Sequence, residues 1–452
     1  FWLKILSSTL FLFFTRQIAM RCLGISVAAA VAVVVPIHRV PRPKGWVQAI
    51  IASQMGETQE LVNDKNMCFF GTVSVGTPAQ NFSVLFDTGS DVFWVPSTKC
   101  GKKCRFHRKF DPSKSTSFAP AHRRSTIMYG SGKVLFDAAR DDFSIGAVKV
   151  QNQTLGLVFS EDLNLYFSSF DGIFGLEFGG KPETGVDGLL RSKALPANIF
   201  AFYMPLDERE PGEISFGEMN PARFTGDFQW APLRPGMYNK WTVSLLGVQL
   251  CDGDSCESVS KCSVDRPCAA LIDSGTTLLV APGHEVASIT RRLPVDQGCR
   301  SLPEQNLRFV MGDPKKPVVV DLTPEQYIEK DLFSPGSCAL SWIPMGTSTG
   351  RTPLFVLGDT MMRHLYTVFD VDNHRIGMAR YGGLCGGGSF FLCPCAAVRP
   401  VIVAAEWCIA TKPRQFAHTV SWPGSQRQLH SPVAMVLRHI LASLGRILPK
   451  KK

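Results

Sequence analysis

A largely β chain folded as two similar lobes is what this sequence predicts, on three observations. From about residue 67 onward, short segments rich in Phe, Val, Ile and Thr alternate with glycine turns, the texture of strands in half-buried sheets. One such segment, VLFDTGSDVFWVP (84–96), returns as ALIDSGTTLLVAP (270–282), with Asp87 and Asp273 186 residues apart. Each copy is followed some 80 residues later by an apolar run ending in glycine, within FDGIFGL (170–176) and PLFVLGD (353–359). A two-part signal repeated in register implies internal duplication, and hence two β lobes.

The bulk properties bound this reading. The chain has 452 residues, 45% hydrophobic and 19% charged, enough for two or three domains with sizeable cores. Its formal net charge of +10 is unevenly placed: from Cys385 to Lys452 nine Lys and Arg face one acid, Glu406, leaving the rest of the chain at about +2. The body therefore lacks the basic face that nucleic-acid binding requires, and no nucleic-acid partner is expected. Fourteen cysteines, several close together as in CGKKC (100–104) and the group Cys251, Cys256, Cys262 and Cys268, are not accompanied by histidines at zinc-site offsets. They read as disulfides formed in an oxidising compartment. The triplets Asn81-Phe-Ser and Asn152-Gln-Thr are glycosylation acceptors compatible with that compartment.

Along the chain, two apolar blocks come first, LKILSSTLFLFF and CLGISVAAAVAVVVP. The second has the length of a signal-peptide core and is short for a bilayer span. Residues 1–36 are read as secretory targeting, with a signal anchor, and so membrane association through this segment, as the alternative. Residues 37–62, basic and then polar, read as a linker or pro-segment. The first lobe is drawn over 63–230 and the second over 231–384. Residues 385–452 form a basic tail, expected to be disordered, although PVAMVLRHILASLGRILPKKK has the apolar spacing of a basic amphipathic helix.

Each Asp-Thr/Ser-Gly loop carries the parts of an acid–base site. Asp87 and Asp273 end apolar strands, where a carboxylate is costly to bury unless it is paired. Gly89 and Gly275 let the backbone come close and adopt conformations that other residues resist. The hydroxyls of Thr88 and Ser274 can lock the loops through backbone groups, and Ser90 and Thr276, two positions further, can orient the carboxylates. Two lobes meeting at these loops bring Asp87 and Asp273 face to face. Like charges at contact distance cannot both ionise readily, so one proton is shared. The ionised carboxylate can take a proton from water while the protonated one donates to a carbonyl oxygen, hydrolysing a peptide bond by general acid–base catalysis.

These motifs resemble those of the pepsin-like aspartic proteases, over roughly Phe69 to Arg380. FDTGSDVFWVPS and IDSGTTLLVAP look like the two active-site loops of that family, and IMYGSGKV (127–134) like its flap. The resemblance implies the bilobal, all-β pepsin-like fold with the active site between the lobes. It implies Tyr129, Gly130 and Ser131 covering the substrate, Tyr129 packing near Trp94, and Thr277 beside the second loop. It also implies disulfides Cys100–Cys104 and Cys299–Cys338, while Cys251, Cys256, Cys262 and Cys268 exceed the single bridge expected there and permit three pairings. Arg39, Arg42 and Lys44 are candidates for a pro-segment cation that neutralises the aspartates of a zymogen. Two departures from the pattern are Asp91 near the cleft rim and LFDAARDDF after the flap, which lacks the glycine often found there. The function expected is an aspartic endopeptidase, a monomer that needs no metal or organic cofactor. It binds a polypeptide in extended conformation, is blocked by pepstatin-type inhibitors, and works in the secretory pathway, secreted or in an acidic organelle. The alternative is a catalytically silent binding protein on the same fold, which predicts damage to the aspartates or their hydroxyls, and the sequence shows none.

Overall fold

The computed structural model describes residues 33–40 and 68–382, apart from 131, 163–164, 166–167, 178–184, 207–209, 238, 333–334 and 347–351. The expectations placed on residues 1–32, on Arg42, Lys44 and the rest of 41–62, on Ser131, and on the tail from 385 lie outside the described residues, as does the side chain of Arg39.

The sequence alternation reappears as alternating burial. In the strand Gln80–Asp87 (QNFSVLFD), Phe82 and Val84 are buried with half-exposed Ser83 between them, and Leu85 to Asp87 are then buried without interruption. The change marks where the strand leaves a sheet with one wet face and enters the middle of the molecule. There it runs parallel to Gly172–Gly175, with Asp87 opposite Gly175. The second half repeats the arrangement: Cys268–Ile272 runs parallel to Leu354–Leu357, with Ile272 opposite Leu357. In each half a short strand following the Asp loop, Trp94–Pro96 or Leu279–Pro282, pairs antiparallel to the other side of that inner strand. The duplication in sequence is therefore a duplication of sheet topology.

Two large sheets carry the structure among the described residues. A thirteen-strand path includes every strand from Val33–Val40 to Phe224–Pro232 and is joined by Leu365–Asp370 and Arg375–Tyr381 from the end of the described chain. An eight-stranded sheet holds most of the second half. The strand Val33–Val40 pairs with Gly212–Phe216 and with Cys68–Phe70, so the boundary drawn at 36/37 falls inside a strand. The boundary at 230/231 likewise falls inside Phe224–Pro232, whose partner is Arg375–Tyr381. Composition shifts do not mark these points, because each strand has a partner more than a hundred residues away.

Aromatic packing backs the first loop. Phe86, next to Asp87, lies 5.6 Å from Phe174 between ring centroids, and Phe93 lies 4.8 Å from the same ring. All three are fully buried, each worth about 1.5–3 kcal/mol of transfer free energy. The loop carrying Asp87 thus projects from one of the best-packed parts of the molecule.

Candidate active site

The loops 87–90 and 273–276 meet with nearly equal geometry. Gly89 N–H donates to Asp87 Oδ1 at 2.9 Å, and Gly275 N–H to Asp273 Oδ1 at 2.8 Å. The Ser90 hydroxyl donates to Asp87 Oδ2, and Thr276 Oγ1 to Asp273 Oδ2 at 2.6 Å. Thr88 and Ser274 cross over. Thr88 Oγ1 donates to the Ile272 carbonyl at 2.8 Å and Ser274 Oγ to the Phe86 carbonyl at 2.7 Å. Each hydroxyl also accepts the other residue's main-chain N–H, at 2.9 and 3.1 Å. These buried bonds tie each loop to the strand that precedes the opposite aspartate, and every polar group is matched, as burial demands.

The two glycines serve close approach. A Cβ on Gly89 would stand 2.6 Å from the Asp273 carboxyl, and one on Gly275 2.2 Å from Asp87 Oδ1. Neither has a positive φ, so the conformational freedom expected of them is not what the positions use. Space is.

Asp87 and Asp273 are 5% and 7% exposed. Burial, and then the adjacent Asp273 carboxylate, push the Asp87 pKa well above the usual carboxylate range, against the opposing hydrogen bonds from Ser90 and Gly89. The two carboxyls stand close enough for each to oppose the other's ionisation. The pair accordingly holds one proton at pH values where isolated carboxylates have lost theirs.

Beside them, strands Ala119–Tyr129 and Gly132–Ile145 form a hairpin, with Tyr129 opposite Gly132. Trp94 Nε1 donates to Tyr129 Oη at 2.8 Å. Burial and the nearby Asp87 raise the tyrosine's pKa, so its hydroxyl stays protonated. Gly130 is exposed with open space around it, and Met128 is 72% exposed. Thr277 stands beside the second loop, and its carbonyl accepts the Thr360 N–H at 3.0 Å. Bridges join Cys100 to Cys104 and Cys299 to Cys338. Of the three pairings left open, the structure has Cys251–Cys256 and Cys262–Cys268. Among the described residues no cluster of His, Cys, Asp and Glu is arranged to hold a metal ion.

Two charged residues beside the site were not singled out from sequence. Glu177 is buried just past FDGIFGL, and its N–H donates to the Ser90 carbonyl at 2.9 Å. Its carboxylate meets Lys240 Nζ at 2.5 Å. The signal available was an acid directly following a buried apolar run, the same signal that drew attention to Asp87.

Comparison with known proteins gives the family. The family profile described as eukaryotic aspartyl protease matches residues 68–381. Plasmepsin VI of Plasmodium berghei is 30% identical over 373 residues, covering 75% of this chain and 82% of its own. Pepsin A of Rhinolophus ferrumequinum is 30% identical over 345 residues, covering 73% and 85%. Cathepsin E of Mus musculus is 30% identical over 338 residues, covering 71% and 82%.

Proposed function

The chain belongs to the eukaryotic aspartyl protease family, and on that premise we propose that it is an endopeptidase whose catalytic groups are Asp87 and Asp273. One observation carries the reading: two buried carboxyls, each held by a glycine N–H and a hydroxyl, stand side by side in loops braced across to one another. Such a pair needs no further group to begin hydrolysis. The ionised carboxylate takes a proton from a water lying between the aspartates, and the resulting hydroxide attacks the scissile carbonyl carbon. The protonated carboxyl gives its proton to the carbonyl oxygen. Collapse of the tetrahedral gem-diol breaks the C–N bond: the proton taken from water passes to the leaving amine, and one hydroxyl re-forms the carbonyl by returning its proton to the carboxylate that supplied it. Thr88, Ser90, Ser274 and Thr276 hold the geometry. The hairpin tip at Tyr129–Gly130, with Trp94 beneath Tyr129, covers an extended polypeptide that borrows main-chain hydrogen bonds in the manner of an added strand. Thr277 lies on the substrate side of the second loop.

The shared proton sets the pH range. Activity rises as the first carboxyl ionises and falls once the second proton is lost, and the upward push on Asp87 extends the upper limb toward neutral pH. The four disulfides among the described residues suit a secretory-pathway protein; we take it to act as a monomer. The test is hydrolysis of an unbiased peptide mixture from acidic to neutral pH by the wild type and Asp273→Asn, each with and without pepstatin. Cleavage lost in the variant and under the inhibitor is the expected result. Equal cleavage by wild type and variant refutes the assignment of the aspartates.

A further inference from the structure

The small net charge of residues 1–384 conceals an uneven spread. Residues 97–137 hold ten Lys and Arg against two acids, Asp111 and Asp137, so the remainder of 1–384 sums to −6. Lys102, Lys103 and Arg105 stand in or directly after the loop closed by Cys100–Cys104. All three are exposed, and none has an acidic partner among the described residues. Lys103 Nζ instead donates to Ser160 Oγ at 3.3 Å. Lys99 from the same loop and Arg124 from the hairpin both reach Asp137, at 3.1 and 3.0 Å. The Arg124 guanidinium also lies 4.4 Å from the centre of the Phe159 ring. Loop and hairpin therefore meet at Asp137 and present their cations together.

Strand alternation decides which way this surface points. Residues directly opposite one another share a face, so Arg124 and Met128 lie with Asp137 and Lys133 on one side of the hairpin. Ile127 and Tyr129 lie on the other side, packed with Trp94, Val134 and Phe136. The basic face is thus the back of the hairpin, turned away from the contact of Tyr129 with Trp94. Charge on an edge strand deters unwanted pairing, and Ala119–Tyr129 is the last strand of its sheet path. That accounts for Arg123 and Arg124, but not for the cations of the disulfide loop.

We propose that this face docks a sulfated polysaccharide, with sulfates on Lys102, Lys103 and Arg105 and with Lys99 and Arg124 extending the surface. Short basic clusters of this kind bind polyanions, and three considerations select a sulfated sugar among them. The disulfides suit the secretory pathway, where nucleic acid is not the polyanion at hand. At the acidic end of the pH range proposed above, carboxylates near their ordinary pKa of about 4 lose charge; an acidic peptide loses its hold there, whereas a sulfate ester stays ionised. A lipid surface takes a coherent apolar face as well as cations. Here the exposed apolar side chains, Phe106 and Met128, stand on different elements, and Phe106 has the Arg105 guanidinium over its ring. The proposal goes beyond the endopeptidase reading and uses only its pH range. Because the basic face is the back of the hairpin, the docked protein still hydrolyses small peptides.

The experiment measures binding of the full chain to a heparin oligosaccharide, the same sugar after desulfation, a poly-glutamate peptide, and vesicles containing phosphatidylserine. Titrations are run at about pH 4 and about pH 7 over a range of salt. The proteins are wild type, Lys102→Gln/Lys103→Gln/Arg105→Gln, the corresponding triple Glu variant and Asp273→Asn, each checked by thermal unfolding. The expected result is heparin binding at both pH values, weakened by salt and lost on desulfation. Affinity falls at least about tenfold in the Gln variant and further in the Glu variant, with Tm unchanged in the Gln variant. Hydrolysis of a short peptide by heparin-bound wild type stays within about twofold of the free protein. Heparin affinity unchanged in both triple variants overturns the proposal, since binding then belongs to other cations such as those beyond residue 385. No heparin binding, equal binding of the desulfated sugar, or preference for poly-glutamate or vesicles overturns it as well. Hydrolysis blocked by bound heparin overturns the placement on the back of the hairpin. Asp273→Asn binds heparin as wild type does, so cleavage that persists in it overturns the endopeptidase reading and leaves the docking surface standing.

Discussion

Gly275→Ala isolates the close approach of the two loops. The new methyl would lie 2.2 Å from Asp87 Oδ1 and 2.6 Å from its Cγ. Real Cβ contacts essentially never fall under 3.0 Å, so one partner must retreat by at least about 0.8 Å. Asp87 cannot yield cheaply. Its Oδ1 is held by Gly89 N–H and its Oδ2 by Ser90, and the strand behind it is packed on Phe174. Forcing a methyl into such a site costs about 1–3 kcal/mol, a fall of a few degrees in Tm for a body of this size. The effect on turnover is larger, because a displacement approaching 1 Å at a reacting group is worth about a hundredfold in rate. The assay is peptide hydrolysis beside a thermal unfolding scan, with Gly346→Ala as the control. Gly346 has nothing within 4 Å and no positive φ. A folded Gly275→Ala protein with wild-type kcat refutes the reasoning, since it would mean that the two loops are not in contact in the working molecule.

Other perturbations address other links. Thr88→Val keeps the shape but strands the Ile272 carbonyl and the Ser274 N–H; at about 1–3 kcal/mol per buried unsatisfied group, denaturant unfolding shows a loss clearly above that of an exposed Thr→Val. Tyr129→Phe removes the acceptor of the Trp94 indole, and kcat/KM falls several-fold with little change in Tm, because the hairpin tip is not core. His107 lies 3.1 Å from Glu161, both buried. Burial works against its charge, but Glu161 outweighs it and the pKa is raised above 6.5. Its stabilisation is thus complete below about pH 6.5 and is lost as pH rises through the raised value, so His107→Gln lowers Tm at acidic pH and flattens the decline toward alkaline pH. Finally, the separation is 39 residues for Cys299–Cys338 and 4 for Cys100–Cys104. Loop-closure entropy gives about 4 and about 2 kcal/mol for bridges of those sizes, and double Cys→Ser variants compared by denaturant unfolding rank in that order.

Much of the fold and the candidate site is legible in the sequence because it is local or repeated. Strand texture needs only neighbours in the chain, and the Asp-Thr/Ser-Gly loops announce themselves twice, each with its hydroxyls at fixed offsets from the aspartate. That is why Asp87 and Asp273 can be paired across 186 residues, and why Trp94 and Tyr129 can be placed near each other once the family is recognised. The tertiary structure decided what depends on approach in space. It showed that Gly89 and Gly275 are required for room, since each faces the opposite carboxyl, a contact no single loop reveals. It chose Cys251–Cys256 and Cys262–Cys268 by bringing a hairpin's two ends together at Cys251 opposite Cys256. It placed Val33–Val40 in a sheet between the nearby strand Cys68–Val75 and the distant Gly212–Phe216, and it set Lys240 against Glu177. Periodicity and motif spacing record what each segment prefers alone. Which charges and methyl-sized gaps end up in contact is settled only when the two halves close on one another.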